Sequence, residues 1–179
     1  MAETFAARVA RVQALIRDVP DFPKPGIVFK DLTTLLKDPA GFAEAMDLFA
    51  ALVDGAQVDA VVAIESRGFI LGSVLASRLG TGFVPVRKPG KLPARTRRAS
   101  YALEYGTDSL EIHEDAITPG QRVVVVDDVI ATGGTAAAVG ELVEGLGGTV
   151  AFYAFLVELT FLSGRSKLPG RDVRSLIRY

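Results

Sequence analysis

The stretch Val123 to Thr135, VVVVDDVIATGGT, constrains this chain more than any other. Four consecutive valines are β-branched, too few for a helix, and apolar on both sides of the pleat, which predicts a strand buried on both faces. Two carboxylates follow at once, Asp127 and Asp128, and Thr132-Gly133-Gly134-Thr135 then sets two glycines between two hydroxyls. Val139, Leu142, Val143 and Leu146 fall at i, i+3, i+4 and i+7, the apolar stripe of a helix. The unit reads as strand, acidic turn, glycine-rich loop and helix start. Such a loop points backbone N–H groups and hydroxyls at a phosphate, and the helix dipole adds to the attraction. Carboxylates repel a phosphate, so the acidic pair faces something else on the same ligand: sugar hydroxyls, or a Mg²⁺ that the ligand carries. The plain alternative is a buried strand ending in a polar turn with no ligand at all.

The rest of the chain bounds the answer. At 179 residues the expectation is a single domain spanning 1–179. Apolar residues make up 49% and charged residues 23%, enough for a real core. A net charge of −1 invites neither nucleic acid nor a membrane surface. Cysteine is absent and His113 is the single histidine, so no disulfide framework and no thiolate or histidine-based metal site is expected. The N-terminus lacks a basic region followed by an apolar one, and the most apolar windows are about ten residues long, short of a membrane span. A cytoplasmic protein is the default expectation.

In chain order, Phe5, Val9, Val12, Ile16 and Val19 predict one helix face, stopped by Pro20. Asp21 to Lys30 (DFPKPGIVFK) reads as an irregular segment with fixed bends. Its apolar Ile27, Val28 and Phe29 suit either a loop folded back on the core or an aromatic wall for a flat heterocycle. Asp38-Pro39 predicts a capped helix with Phe42, Met46, Phe49 and Val53 as its stripe. Val58 to Ile64 reads as a buried strand, followed by Glu65-Ser66-Arg67-Gly68 and a helix closed by Gly80 or Gly82. Phe83 to Val86 reads as another short strand whose proline suggests an edge position or an early end, and Arg87-Lys88-Pro89-Gly90-Lys91 comes after it. Three strands thus deliver charged groups just past their C-terminal ends, where open parallel sheets bind ligands. Lys88 to Ser100 reads as a solvated loop or a mobile lid. Tyr101 to Gly106 and Leu110 to His113 alternate like a hairpin, with Glu104 and Tyr105 at the base of that lid and His113 structural. Thr149 to Leu159 predicts a long strand and Val173 to Ile177 a last edge strand.

Several of these stretches together resemble the type I phosphoribosyltransferase family, and within it the adenine branch. They are DFPKPGIVFKDLT from Asp21, ESRGF from Glu65, RKPGKLP from Arg87, YALEYG from Tyr101, LEIHEDAI from Leu110 and the central VVVVDDVIATGGT. The resemblance implies an α/β fold: a central, mostly parallel sheet flanked by helices, with a small base-binding hood from the N-terminal segment and a flexible lid loop. It implies transfer of the 5-phosphoribosyl group from phosphoribosyl diphosphate to adenine, giving AMP and diphosphate, with Mg²⁺ bound to the sugar substrate. Ala131, Thr132, Gly133, Gly134 and Thr135 then hold the 5-phosphate, and Asp127 and Asp128 the ribose hydroxyls. Arg67, Arg87, Lys88 and Lys91 hold the diphosphate, part of the lid coming from the neighbouring subunit of a homodimer. Phe29 stacks on the base, and backbone groups of Val28 and Lys30 read its edge. Lys30 departs from the arginine that family members often carry there. Tyr105 belongs to the site, and Glu104 handles the proton of the base or orients its ring. The rival acceptors are hypoxanthine, guanine, xanthine and orotate. A regulator that senses phosphoribosyl diphosphate is a rival of another class, but it requires a nucleic-acid-binding part, and no such composition is present.

Overall fold

The computed structural model describes residues 3–102 and 107–179, the side chain of Ala102 excepted. These residues form two compact units, Met1–Ala51 and Leu52–Tyr179.

In the first unit, helix α1 spans Phe5–Ala14, with Thr4 capping it by accepting the Ala7 N–H at 3.2 Å. The helix is shorter than the periodicity predicts. Arg17–Pro20 is a strand, β1, paired antiparallel with β2, Val28–Asp31, so that Val19 lies opposite Phe29. Two local causes favour the strand. Pro20 pushes the residue before it out of the helical region. Cross-strand charges also match, Arg17 with Asp31 at 2.5 Å and Lys30 with Asp18 at 2.6 Å. The irregular segment accordingly ends earlier than predicted, at Ile27. After a short helix α2, Thr33–Leu36, helix α3 runs Pro39–Ala51. Asp38 caps it as predicted, accepting the Gly41 N–H at 2.7 Å. Met46 and Phe49 are buried on its stripe, whereas Val53 lies beyond its end.

The second unit is built on a five-stranded, wholly parallel sheet. Its strands are β3 (Ala60–Ile64), β4 (Gly82–Val86), β7 (Arg122–Ile130), β8 (Thr149–Glu158) and β9 (Val173–Arg178), in the order β4-β3-β7-β8-β9. Both predicted edge strands are at the edges, and Pro85 sits where no further neighbour needs its missing N–H. Helix α4, Arg67–Leu79, connects β3 to β4 and ends at Gly80, whose φ of 66° allows the left-handed cap. Helix α5, Gly134–Gly145, connects β7 to β8. Strands β5 (Thr96–Ala102) and β6 (Thr107–His113) form an antiparallel hairpin. The hairpin begins earlier than its alternation suggests, so Arg97 and Arg98 are strand residues and not part of the loop.

Alternation assigns the two faces of the sheet. Val62, Ile64, Val123 and Val125 share one core with Val139, Leu142 and Val143 of α5 and with Leu110 and Ile112 of β6. Ala63 and Val61 point to the other face, against α4, where a Cβ on Gly72 would come within 2.6 Å of the Ala63 methyl. All four valines of the central run are fully buried, as a strand covered on both faces requires. The acidic pair after the valines differs from expectation. Asp127 and Asp128 lie inside β7, not in a turn beyond it, because β8 continues alongside and pairs Asp127 with Phe155 and Ile130 with Glu158. From β3 the chain moves outward to β4 on one side and through β7, β8 and β9 on the other. The strand order therefore reverses between β3 and β7, and a crevice opens at their C-terminal ends. Among the described residues, no helix is long and apolar enough to cross a membrane.

Candidate active site

Three chain segments converge at that switch point. The first turn of α4 brings Arg67, the exit of β4 brings Arg87 and Lys88, and the end of β7 brings Asp127 and Asp128. A cavity of about 290 Å³ lies between Glu65, Ser66, Arg67, Lys88, Tyr101, Asp127, Asp128 and Thr135. A smaller one, about 80 Å³, lies against Asp127, Ala131, Thr132, Gly133 and Thr135. The two share Asp127 and Thr135. A wider, mostly apolar groove of about 440 Å³ in the first unit, near Leu15, Thr34 and Lys37, shows no comparable convergence of charge.

The small cavity is shaped by glycine. Gly133 caps α5 with a φ of 81°, a left-handed conformation that suits glycine, and the Ala137 N–H donates to its carbonyl at 3.0 Å. The 3₁₀ turn Gly164–Lys167 packs directly behind this loop. A Cβ on Gly133 would strike the Gly164 carbonyl, and one on Gly164 would strike the Ala131 carbonyl.

The larger cavity is lined by charge. Arg67 Nε pairs with Asp128 Oδ2. Gly68 lets the helix end approach β7 closely, since a Cβ there would come within 2.8 Å of Asp127 Oδ1. The Asp128 N–H donates to Asp127 Oδ1 at 2.9 Å. Burial, reinforced by the adjacent Asp128 carboxylate, pushes the Asp127 carboxyl well above the usual range.

Arg87 and Lys88 are held by acids that sequence reasoning did not single out. Glu65 accepts from Arg87 Nη2 at 3.0 Å and Nε at 3.2 Å, and from the Lys88 N–H at 3.1 Å. Chiefly through Arg87, these bonds hold its carboxyl below the ordinary value. Arg87 also donates to the Lys91 carbonyl at 3.1 Å and lies 6.0 Å from the centre of the Phe69 ring. Asp108 takes the Lys88 ammonium and, at 3.1 Å, the Tyr101 hydroxyl. The signal for Glu65 was available: it stands directly between a buried strand and an arginine. Asp108 and Glu111 show only as acids in a hairpin.

Of the predicted site residues, Arg67, Lys88, Asp127, Asp128 and Thr135 line the larger cavity, and Ala131, Thr132 and Gly133 line the smaller one with Asp127 and Thr135. Gly134 begins α5. Arg87 is turned to Glu65, and Lys91 is exposed on the loop after it. In the first unit, Val28 is exposed and Phe29 meets Phe22 edge-on at 5.3 Å between ring centres, while Lys30 pairs with Asp18. Glu104 and Tyr105 lie outside the described residues. His113 accepts the Ala94 N–H at 3.4 Å, consistent with a structural role.

The profile of the family described as "Phosphoribosyl transferase domain" matches residues 31–167, which gives the class of protein to which the chain belongs. Over all 179 residues the chain is 58% identical to the adenine phosphoribosyltransferase of Acidobacterium capsulatum, covering 99% of that protein. Its structure superposes on the adenine phosphoribosyltransferase of Thermoanaerobacter pseudethanolicus with a TM-score of 0.93 at 56% identity, covering 96% of this chain and 99% of that one. The Saccharomyces cerevisiae enzyme, solved with adenine and an imino-altritol bisphosphate, gives 0.92 at 44% identity, again with 96% and 99% covered. The chain belongs to the adenine phosphoribosyltransferase family.

Proposed function

We propose that this chain transfers the 5-phosphoribosyl group from phosphoribosyl diphosphate to adenine, giving AMP and diphosphate, a purine-salvage reaction. The observation that carries this reading is the pair of neighbouring cavities at the switch point. A phosphate-sized one lies against the glycine loop, and a larger one lies between cations and the acidic pair. In this reading Ala131 to Thr135 bind the 5-phosphate through N–H groups and hydroxyls. Asp127 and Asp128 take the ribose hydroxyls. Arg67, Arg87, Lys88 and Lys91 take the diphosphate. The role of Val28, Phe29 and Lys30 toward adenine is supported by the resemblance of their stretch and by the exposure of Val28. The yeast relative, solved with adenine, supports the choice of base.

The chemistry suits these groups. Departure of diphosphate leaves an oxocarbenium-like ring and adds charge to the leaving group. The arginines and lysines stabilise that charge where it develops. Glu104 handles the proton that the base sheds, or orients its ring. Among the described residues no three carboxylate or imidazole side chains converge as metal ligands. Together with the adjacent Asp127 and Asp128, that donor set fits a Mg²⁺ bound mainly by substrate oxygens and water, with at most a carboxylate or two from the protein. When bound, the ion supplies charge neutralisation at the diphosphate. The same reading takes residues 1–179 as one catalytic domain of a cytoplasmic homodimer. Exposed Ile70 on α4 and Phe83 on the edge strand β4 support a covering subunit.

The test is product formation from adenine and phosphoribosyl diphosphate with and without Mg²⁺. Metal-dependent AMP and diphosphate are expected. Comparable rates with hypoxanthine would sink the choice of adenine. Tight binding of the sugar diphosphate without product from any base would point to sensing.

A further inference from the structure

Glu111 lies on β6 between Leu110 and Ile112, and all three are buried. A buried carboxylate is costly unless it is well paired. Here each oxygen has a distinct task. Oε1 accepts from Arg98 of the neighbouring strand, Nη2 at 2.6 Å and Nε at 3.0 Å. Oε2 accepts the Gly90 N–H at 3.0 Å. The main chain of Glu111 is also committed: its N–H donates to the Arg87 carbonyl at 2.7 Å, and its carbonyl accepts the Arg87 N–H at 2.9 Å. One residue therefore holds both ends of the turn from Arg87 to Gly90. Gly90 has a φ of 75°, and a Cβ there would meet nothing within 4 Å, so its glycine answers to backbone conformation and not to crowding. Glu111 does not line the cavity.

We infer that Glu111 is a positioning residue for diphosphate binding: it fixes the loop that carries Arg87, Lys88 and Lys91 before the ligand arrives. The inference rests on the reading of those three cations as diphosphate ligands. Fixing the loop in advance removes an ordering cost that the ligand would otherwise meet. Arg98, and after it the Gly90 N–H, also hold the Glu111 carboxyl below its ordinary value, so it grips as an anion at neutral pH. Asp108 acts differently, taking the Lys88 ammonium itself.

Three measurements on the full-length protein test this. Amide hydrogen exchange at Gly90 in the free wild-type chain is expected to be slowed; exchange as fast as in an open loop overturns the inference and requires no variant to fold. In Glu111→Gln, calorimetry with inorganic diphosphate and Mg²⁺ is expected to show about tenfold weaker binding, with ribose 5-phosphate binding unchanged. Equal weakening of both ligands, or of neither, overturns it, because a merely structural role does not separate the two. Arg98→Gln leaves the Gly90 bond in place and is expected to bind diphosphate more tightly than Glu111→Gln; an equal loss would assign the effect to the hairpin charge pair. A wild-type chain that binds no diphosphate sinks the reading of the loop and this role with it. A wild type that binds it, with Glu111→Gln its equal, sinks the role alone.

Discussion

Glu65 grips the Arg87 guanidinium with two hydrogen bonds, one to each carboxylate oxygen, and takes the Lys88 N–H with the same carboxylate. Two of the proposed diphosphate ligands are thereby aimed by one acid at the entrance to α4. Glu65→Gln removes a negative charge from an anion site, which by itself favours the anion. It also breaks charge-assisted bonds to a partly buried guanidinium, and such bonds contribute about 1.5–3 kcal/mol. Geometry is expected to outweigh charge, so kcat/KM for phosphoribosyl diphosphate should fall roughly 10- to 100-fold. Steady-state kinetics with each substrate varied in turn checks this. An unchanged value would mean that Arg87 needs no aiming.

Asp127 sets function against stability. Its carboxyl is raised in the folded state by burial and by Asp128, so the folded protein favours the protonated form. The sign is then fixed: relative to a group that does not titrate, Asp127 costs nothing below its unfolded value near 3.8 and destabilises increasingly as pH rises through the raised folded value. Asp127→Asn keeps an oxygen for the Asp128 N–H and carries no charge. It should unfold at a higher temperature than wild type at pH 8, with the gain vanishing toward pH 4. With Asp128→Asn added, turnover should fall about 100-fold or more while the fold survives. Thermal melts across pH and a rate assay check both halves; unchanged kinetics would remove the ribose role.

Gly133 is constrained twice, by a left-handed φ of 81° and by the Gly164 carbonyl behind it. Gly133→Ala should destabilise the protein by roughly 1–3 kcal/mol and weaken ribose 5-phosphate binding as the 3₁₀ turn is displaced. Chemical unfolding and calorimetry report the two effects. A stable variant with intact phosphate binding would show that the loop has room that its packing does not suggest.

Legibility in a single sequence tracks the range of the interaction. The valine run, the Asp38 cap, the proline-bearing edge strand and the glycine loop are local signals, and each is found where the pattern put it. The misplaced elements depend on a distant strand. Asp127 and Asp128 read as a turn because nothing in their own stretch reveals that β8 runs on beside them. Ile16 and Val19 continue a helical period, yet Val19 pairs with Phe29 across a hairpin. At the site, position and residue type picked out Arg67 and Lys88, two cations that line the larger cavity. Of the acids paired around them, Glu65 could have been read from its place after a buried strand, whereas Asp108 and Glu111 were illegible because their roles are pairings with residues far along the chain.

The packing of α5 on β8 offers a test in which two known magnitudes oppose each other. Gly140 lies where the Tyr153 hydroxyl passes beneath the helix; a Cβ there would overlap that oxygen and reach within 3.4 Å of Cζ. Alanine is a better helix former than glycine by about 1 kcal/mol, so Gly140→Ala should stabilise the protein if space allows. Overpacking against a fully buried ring costs about 1–3 kcal/mol, so the net effect in wild type should be destabilising. Tyr153→Phe removes the obstructing oxygen and should cost within about 1 kcal/mol. In that background the sign of Gly140→Ala should reverse, giving a coupling of at least about 1 kcal/mol between the two positions. Urea unfolding of the four proteins measures it. Strictly additive effects would show that α5 slides to accept the methyl group and that the glycine is not there to admit the hydroxyl.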